Sequence, residues 1–132
     1  METKFEFIKT WVNEMGFEIQ SEDKEEELIV ISDEDSGIID LIIDCEDPIL
    51  VMEQVIMEIP EKNKDNLYKR LLQMNREIVH GAFAMDDDES YIIFRDTLQL
   101  ENLDRNEIEG SLRALELALS EYGEELITLS KN

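Results

Sequence analysis

The chain has 132 residues and sets 12 Lys plus Arg against 34 Asp plus Glu, for a formal net charge of -22. That balance opposes binding to nucleic acid phosphates or to anionic membrane surfaces, while an apolar content of 42% excludes a disordered acidic tail. The length fits one domain over residues 1–132, large enough to bury roughly two-thirds of its unfolded surface without disulfides or metals.

The first segment reads as a helix. Thr3 and Glu6 fit a capping box, and Gly16 is a natural stop. Phe5, Ile8, Val12 and Met15 recur at helical spacing and form a core stripe. Phe7 and Trp11 sit four apart and widen the apolar face beyond what one core needs, so they are candidate partner-binding residues. The opening "METKFEFIKTWV" carries charges where a secretory signal has its apolar region. No apolar run approaches the roughly twenty residues needed to cross a bilayer. A cytoplasmic protein is expected.

After Gly16 the period changes. "ELIVIS" (Glu27 to Ser32) and "GIIDLIIDC" (Gly37 to Cys45) are rich in β-branched residues and flank the turn-forming "DEDSG", which reads as a hairpin. In the second strand Ile39, Leu41, Ile43 and Cys45 share one face, and Ile38, Asp40, Ile42 and Asp44 the other. Asp47-Pro48 then turns the chain into "ILVMEQVIMEI", Ile49 to Ile59. Glu53 and Gln54 interrupt that run, and a helix competes with a strand. The closing Pro60 and the wealth of Val and Ile favour the strand.

"KDNLYKRLLQMNREIVHG" is a helix with Leu67, Leu71, Met74 and Ile78 as its core stripe and Gly81 as its stop. Tyr68, Leu72 and Val79 make a second stripe, displaced by roughly 100°. It is too apolar for a routine solvent face and is the candidate dimer interface. "AFAM" and "SYIIFRDTLQL" are strand-like, with Ile92, Phe94, Leu98 and Leu100 on one face. A last helix begins near Asp104, with Glu107 as capping partner. Its core side is Ile108, Leu112, Leu115, Leu119, Tyr122 and Leu126, and Gly123 kinks or ends it. The order α-β-β-β-α-β-β-α describes an α+β fold with an antiparallel sheet flanked by helices.

Between the last two strands stands "DDDE", Asp86 to Glu89. A calcium loop starting at Asp86 would need glycine at its sixth position and glutamate at its twelfth. Tyr91 and Thr97 stand there instead. Aspartates favour tight turns and keep strand edges from pairing with other chains, so "DDDE" reads as a turn. No metal or organic cofactor is expected. Cys45 and His80 are the sole cysteine and histidine and give the one nucleophilic pairing available. Cys45 falls on the inward side of its strand, where a thiol acts as a small apolar residue. With no P-loop, dinucleotide glycine pattern or H-E-x-x-H, an enzyme is not expected.

The second half, "LYKRLLQMNREIVHGAFAMDDDESYIIFRDTLQLENLDRNEIEGSLRALELALSEYGEEL", resembles the small type III secretion chaperones and the related YbjN-like family. Their pattern is a helix ending in "LL..N", a strand "G.F..D", an acidic turn, an apolar strand, "L....LD" and a long closing helix. Here those positions are Leu71, Leu72, Asn75, Gly81, Phe83, Asp86, Ile92, Phe94, Leu98, Leu103 and Asp104. The resemblance implies the fold above. Its secretion branch implies a cytoplasmic homodimer that holds an extended segment of another protein along apolar patches. A non-enzymatic protein-binding module is therefore expected. The alternative, motivated by charge alone, is a small acidic regulator or decoy that engages a basic surface.

Overall fold

The structure is a computed structural model and describes residues 3–131. Thr3 accepts the Glu6 N–H at 3.2 Å and starts α1, Lys4–Glu14. Gly16, at φ 93°, lets the chain turn away from the helix end. Phe5, Ile8 and Val12 are buried, and Met15 is half-buried. Six strands follow in one antiparallel sheet of order β1-β2-β3-β4-β6-β5. They are β1 (Glu18–Asp23), β2 (Leu28–Asp33), β3 (Ile38–Glu46), β4 (Ile49–Glu58), β5 (Ala82–Met85) and β6 (Tyr91–Gln99). Between β4 and β5 lies α2, Lys64–Glu77, and the chain closes with α3, Arg105–Ser130. Among the described residues no helix is long and apolar enough to cross a membrane.

β1 adds one strand to the order expected from the sequence. "EIQSED" holds a single apolar side chain, half-buried Ile19, and the rest of the strand is exposed. It forms by pairing with β2 along one side and leaves its other side as a free sheet edge lined by Glu18, Glu22 and Asp23. The opposite edge is β5. There Asn75 of α2 accepts the Phe83 N–H at 2.8 Å and donates to the Phe83 carbonyl at 3.0 Å. One side chain thus occupies both backbone groups of that residue.

Ile49–Glu58 is a strand throughout, which decides between the two readings of that run. In β3 the expected faces hold for Leu41, Ile43 and Cys45 but are exchanged at the start. Ile38 is fully buried, and Ile39 is 44% exposed. The cause is a bulge. The pairing with β2 slips by one residue between Ile31/Leu41 and Asp33/Ile38, with Asp40 at φ 52°, and one extra residue reverses the alternation before it. Backbone groups released by the bulge are met by side chains. Buried Gln54 accepts the Ile39 N–H and donates to the Gly37 carbonyl, both at 3.2 Å. Ser32 accepts the Asp40 N–H at 2.8 Å and donates to Gln20.

Register places Ile29, Ile31, Leu41, Ile43, Cys45, Leu50, Met52 and Phe94 on one face of the sheet. All three helices bury their stripes against that face in one core. Leu67, Leu71 and Met74 serve α2; Ile108, Leu112, Leu115 and Leu126 serve α3, with Ser111, Ala118 and Leu129 added and Leu119 and Tyr122 only half-buried. Arg70 and Glu125 join α2 to α3 through a two-pronged ion pair, which holds the Glu125 carboxyl below its ordinary range. Asp104 caps α3 by accepting the Glu107 N–H at 3.0 Å, and the helix runs on past Gly123.

The helix α2 is shorter than its periodicity predicts. It ends at Glu77, with Ile78 already extended, because Asn75 ties the helix to β5 and the chain must turn back at once. Gly81 is therefore a turn residue ahead of β5 and not a helix stop. At φ 80°, a Cβ there would lie 2.6 Å from the Phe94 ring, so glycine alone fits.

Candidate protein-binding surface

The acidic stretch Asp86 to Glu89 is the β5–β6 hairpin turn. Asp86 accepts the N–H groups of Ser90 at 2.8 Å and Tyr91 at 3.0 Å, and Glu89 takes φ 58°. Among the described residues no group of three or more His, Cys, Asp or Glu is placed to hold a metal ion. Cys45 is buried beside its strand partner Leu50, whereas His80 is exposed and lies against Gly110 of α3. Burial, with the nearby charges of Glu27 and Asp44, pushes the Cys45 thiol up to about 11. At neutral pH it is a thiol, the unreactive form.

Several apolar patches are exposed, among them one on α1, one on and after α2, and one on the sheet. On α1 the rings of Phe7 and Trp11 stack at 6.0 Å with 21° between planes. Phe7 is exposed, Trp11 is partly covered, and the Lys4 ammonium lies 6.0 Å from the Trp11 ring while donating to the Leu103 carbonyl. The geometry brings this expected pair together, outside the stripe that α1 buries.

The second place is α2 and the segment after it. Leu72 is 72% exposed and Val79 is 82% exposed. Tyr68 is half-buried against the core, and Val79 lies beyond the helix end, so these three residues do not form one helical stripe. Val79 instead joins Ile78, Ala114, Leu117 and Tyr122 around a groove of about 200 Å³ between this segment and α3. Leu117 is an exposed leucine that periodicity hides, because it stands on the outer side of an otherwise regular amphipathic helix.

The third place is the sheet face away from the helices. Ile39, Ile42, Val55 and Ile93 line a shallow hollow of about 250 Å³ with Asp40 and Glu53. Sequence reasoning missed this face as a surface. The available signal was "GIIDLIIDC", where apolar residues fail to alternate, as in strands that are covered on both sides.

Charge surrounds this third place. Asp44 of β3 is raised above the ordinary carboxyl range, first by partial burial and then by Glu46, Glu26 and Glu53. A raised value means that the folded chain holds this proton more tightly than the unfolded chain. The stability tied to Asp44 is therefore fully present below the ordinary aspartate value and is lost as pH rises through the folded-state value. Asp44→Asn should melt at a higher temperature than wild type at neutral pH, and the difference should shrink on acidification. Thermal melts across the acid range check both signs.

The CesT_Tir_1 family model matches residues 1–132. Among solved structures, YbjN from E. coli, described as a putative transcription regulator, superposes with a TM-score of 0.67 at 13% identity over 92% of each chain. A chain of the HopA1-SchA chaperone-effector complex gives 0.60 at 12% identity, covering 91% of this chain and 96% of that one. The Yersinia pestis type III secretion chaperone SycH, solved with a fragment of YscM2, gives 0.51 at 14% identity, with 97% and 100% covered. Likeness at such identities is likeness of fold. No curated protein sequence matches the chain.

Proposed function

The chain belongs to the CesT_Tir_1 family of type III secretion chaperones, and from that premise we propose that it is a non-enzymatic module that holds an extended segment of a partner protein. The observation that carries this reading is the Phe7–Trp11 stack. Phe5, Ile8 and Val12 form the buried side of α1, while Phe7 stands exposed beside it and Trp11 packs only partly against the core, so the stacked pair leaves aromatic surface open to a partner. Aromatic pairs of this kind anchor interfaces because they give large contact area at little cost in side-chain entropy.

The domain spans residues 1–132 and acts as a cytoplasmic homodimer, with Tyr68, Leu72 and Val79 contributing to the seam. The exposure of Leu72 and Val79 supports the seam, since large apolar side chains left this bare gain from being covered.

Trp11 is the sole tryptophan, so its fluorescence reports on this patch without labelling. A partner recovered from the native host and titrated into the protein should shift Trp11 emission to the blue. Phe7→Ala should weaken that partner by roughly tenfold, the loss of about 1.4 kcal/mol. Binding that persists at high salt marks apolar capture; the acidic-decoy alternative requires it to vanish. An unshifted emission on saturation would refute the α1 site.

A further inference from the structure

We propose that the helix-free face of the sheet is a docking surface for a basic amphipathic segment, with Ile39, Ile42, Val55 and Ile93 as its apolar floor. The inference rests on the protein-binding reading above and adds a second surface and the chemistry of its occupant.

An antiparallel sheet with one solvated face normally turns polar residues outward. Here the solvated face is apolar across adjacent strands. Val55 and Ile93 are direct cross-strand partners, and Ile42 stands opposite Val30 on one side and Glu53 on the other. Val55 is 60% exposed. Ile39 reaches this surface only because the bulge at Asp40 turns it outward, at the cost of backbone groups that Gln54 and Ser32 must satisfy. A fold that needed only solubility would place a polar residue there and omit the bulge.

Charge selects the occupant. Asp40, Asp44, Glu46 and Glu53 stand around or beside the hollow. The cation on this face, Arg95, is engaged by Glu53. The carboxylates are close enough that Glu46, Glu26 and Glu53 each raise Asp44. A second copy of the chain would bring the same local carboxylates against themselves. A segment with Leu, Ile or Val toward the floor and Lys or Arg along its flanks meets both features at once. Alternation of apolar and basic residues in an extended segment provides that arrangement.

The test uses a short synthetic peptide of alternating Leu and Lys, and a control of alternating Ser and Lys, titrated by calorimetry into the full chain. The Leu-Lys peptide should bind at least tenfold tighter than the control. Val55→Asn combined with Ile93→Thr should remove that advantage and leave the control unchanged, since neither substitution alters charge. In wild type, the methyl resonances of Ile39, Ile42, Val55 and Ile93 should shift on peptide addition, a readout independent of the variant's folding. Equal affinity for the two peptides, or unshifted methyls, overturns the proposal. Loss of the advantage only in Phe7→Ala with Trp11→Ala overturns the sheet-face site while leaving the α1 reading intact. Dissociation of the wild-type dimer by Val55→Asn and Ile93→Thr would show a second copy on this face and equally overturns it.

Discussion

Gln54→Met should lower the free energy of unfolding by about 2 kcal/mol, because it leaves two partly buried backbone groups without partners at roughly 1 kcal/mol each, the low end for groups that water can still reach. Gln54 is 5% exposed, and its amide bridges the Ile39 N–H and the Gly37 carbonyl at 3.2 Å each. Both groups lie where β3 departs from β2, so the sheet ladder cannot take them over. Methionine keeps nearly the same volume and shape, which holds the packing change small and isolates the hydrogen bonds. Gln54→Glu provides a second comparison. The carboxylate still accepts from Ile39 but cannot donate to Gly37, and it places a charge in the core, so at neutral pH the loss should be larger than for methionine. Urea denaturation with an unchanged slope measures both. A methionine variant within about 0.5 kcal/mol of wild type would show that water or relaxation meets these groups.

Leu72→Asp should convert the proposed homodimer into a folded monomer. With Leu72 72% exposed in the single chain, the substitution should change the stability of an isolated protomer by no more than about 0.5 kcal/mol. At an apolar seam the same carboxylate would be buried without a partner, a cost of several kcal/mol, or more than a hundredfold in association. Stability and assembly therefore separate cleanly. The large negative charge sharpens the contrast, since self-association must already overcome repulsion between two chains of -22. The remaining carboxylates are expected at the rim of the contact, so raising the salt should tighten the wild-type dimer. Light scattering with circular dichroism decides the matter. A wild type that scatters as a monomer at micromolar concentration, or a Leu72→Asp chain that remains dimeric, removes Leu72 from any seam.

The helices and the inner face of the sheet were legible because burial there follows strict periods. Phe5, Ile8 and Val12, Leu67, Leu71 and Met74, and Ile92 and Phe94 recur at the spacing their elements demand, and each is buried. The misreadings have local physical causes. β1 escaped because a strand held by backbone pairing at a solvated edge needs little apolar content. The exchange of Ile38 and Ile39 depends on one inserted residue, and no alternation pattern reveals it until the pairing register is known. The run from Ile78 to Gly81 kept a helical rhythm, but the Asn75 bonds to Phe83 ended the helix first.

The candidate surfaces divide in the same way. Phe7 and Trp11 were visible because they lie outside a stripe that was already complete. The sheet face was not, because whether Ile42 or Val55 is covered depends on which side all three helices choose.

The two ends of the sheet are guarded by different means, and only one of them is permanent. At β5 a side-chain amide occupies the outward backbone of Phe83, and salt does not release it. At β1 the outer side pairs with no strand among the described residues, and the deterrent to another chain is the charge of Glu18 and Asp23, with Glu22 held by Lys9 of α1 at 2.8 Å. That deterrent is electrostatic, and dissolved salt screens it. At high ionic strength the molecule keeps a template for strand addition on one side and loses the repulsion that protected it. Growth from that side can seed no continuation through the far one, which Asn75 keeps closed while α2 holds. High salt should therefore favour pairs joined edge to edge long before it favours fibrils.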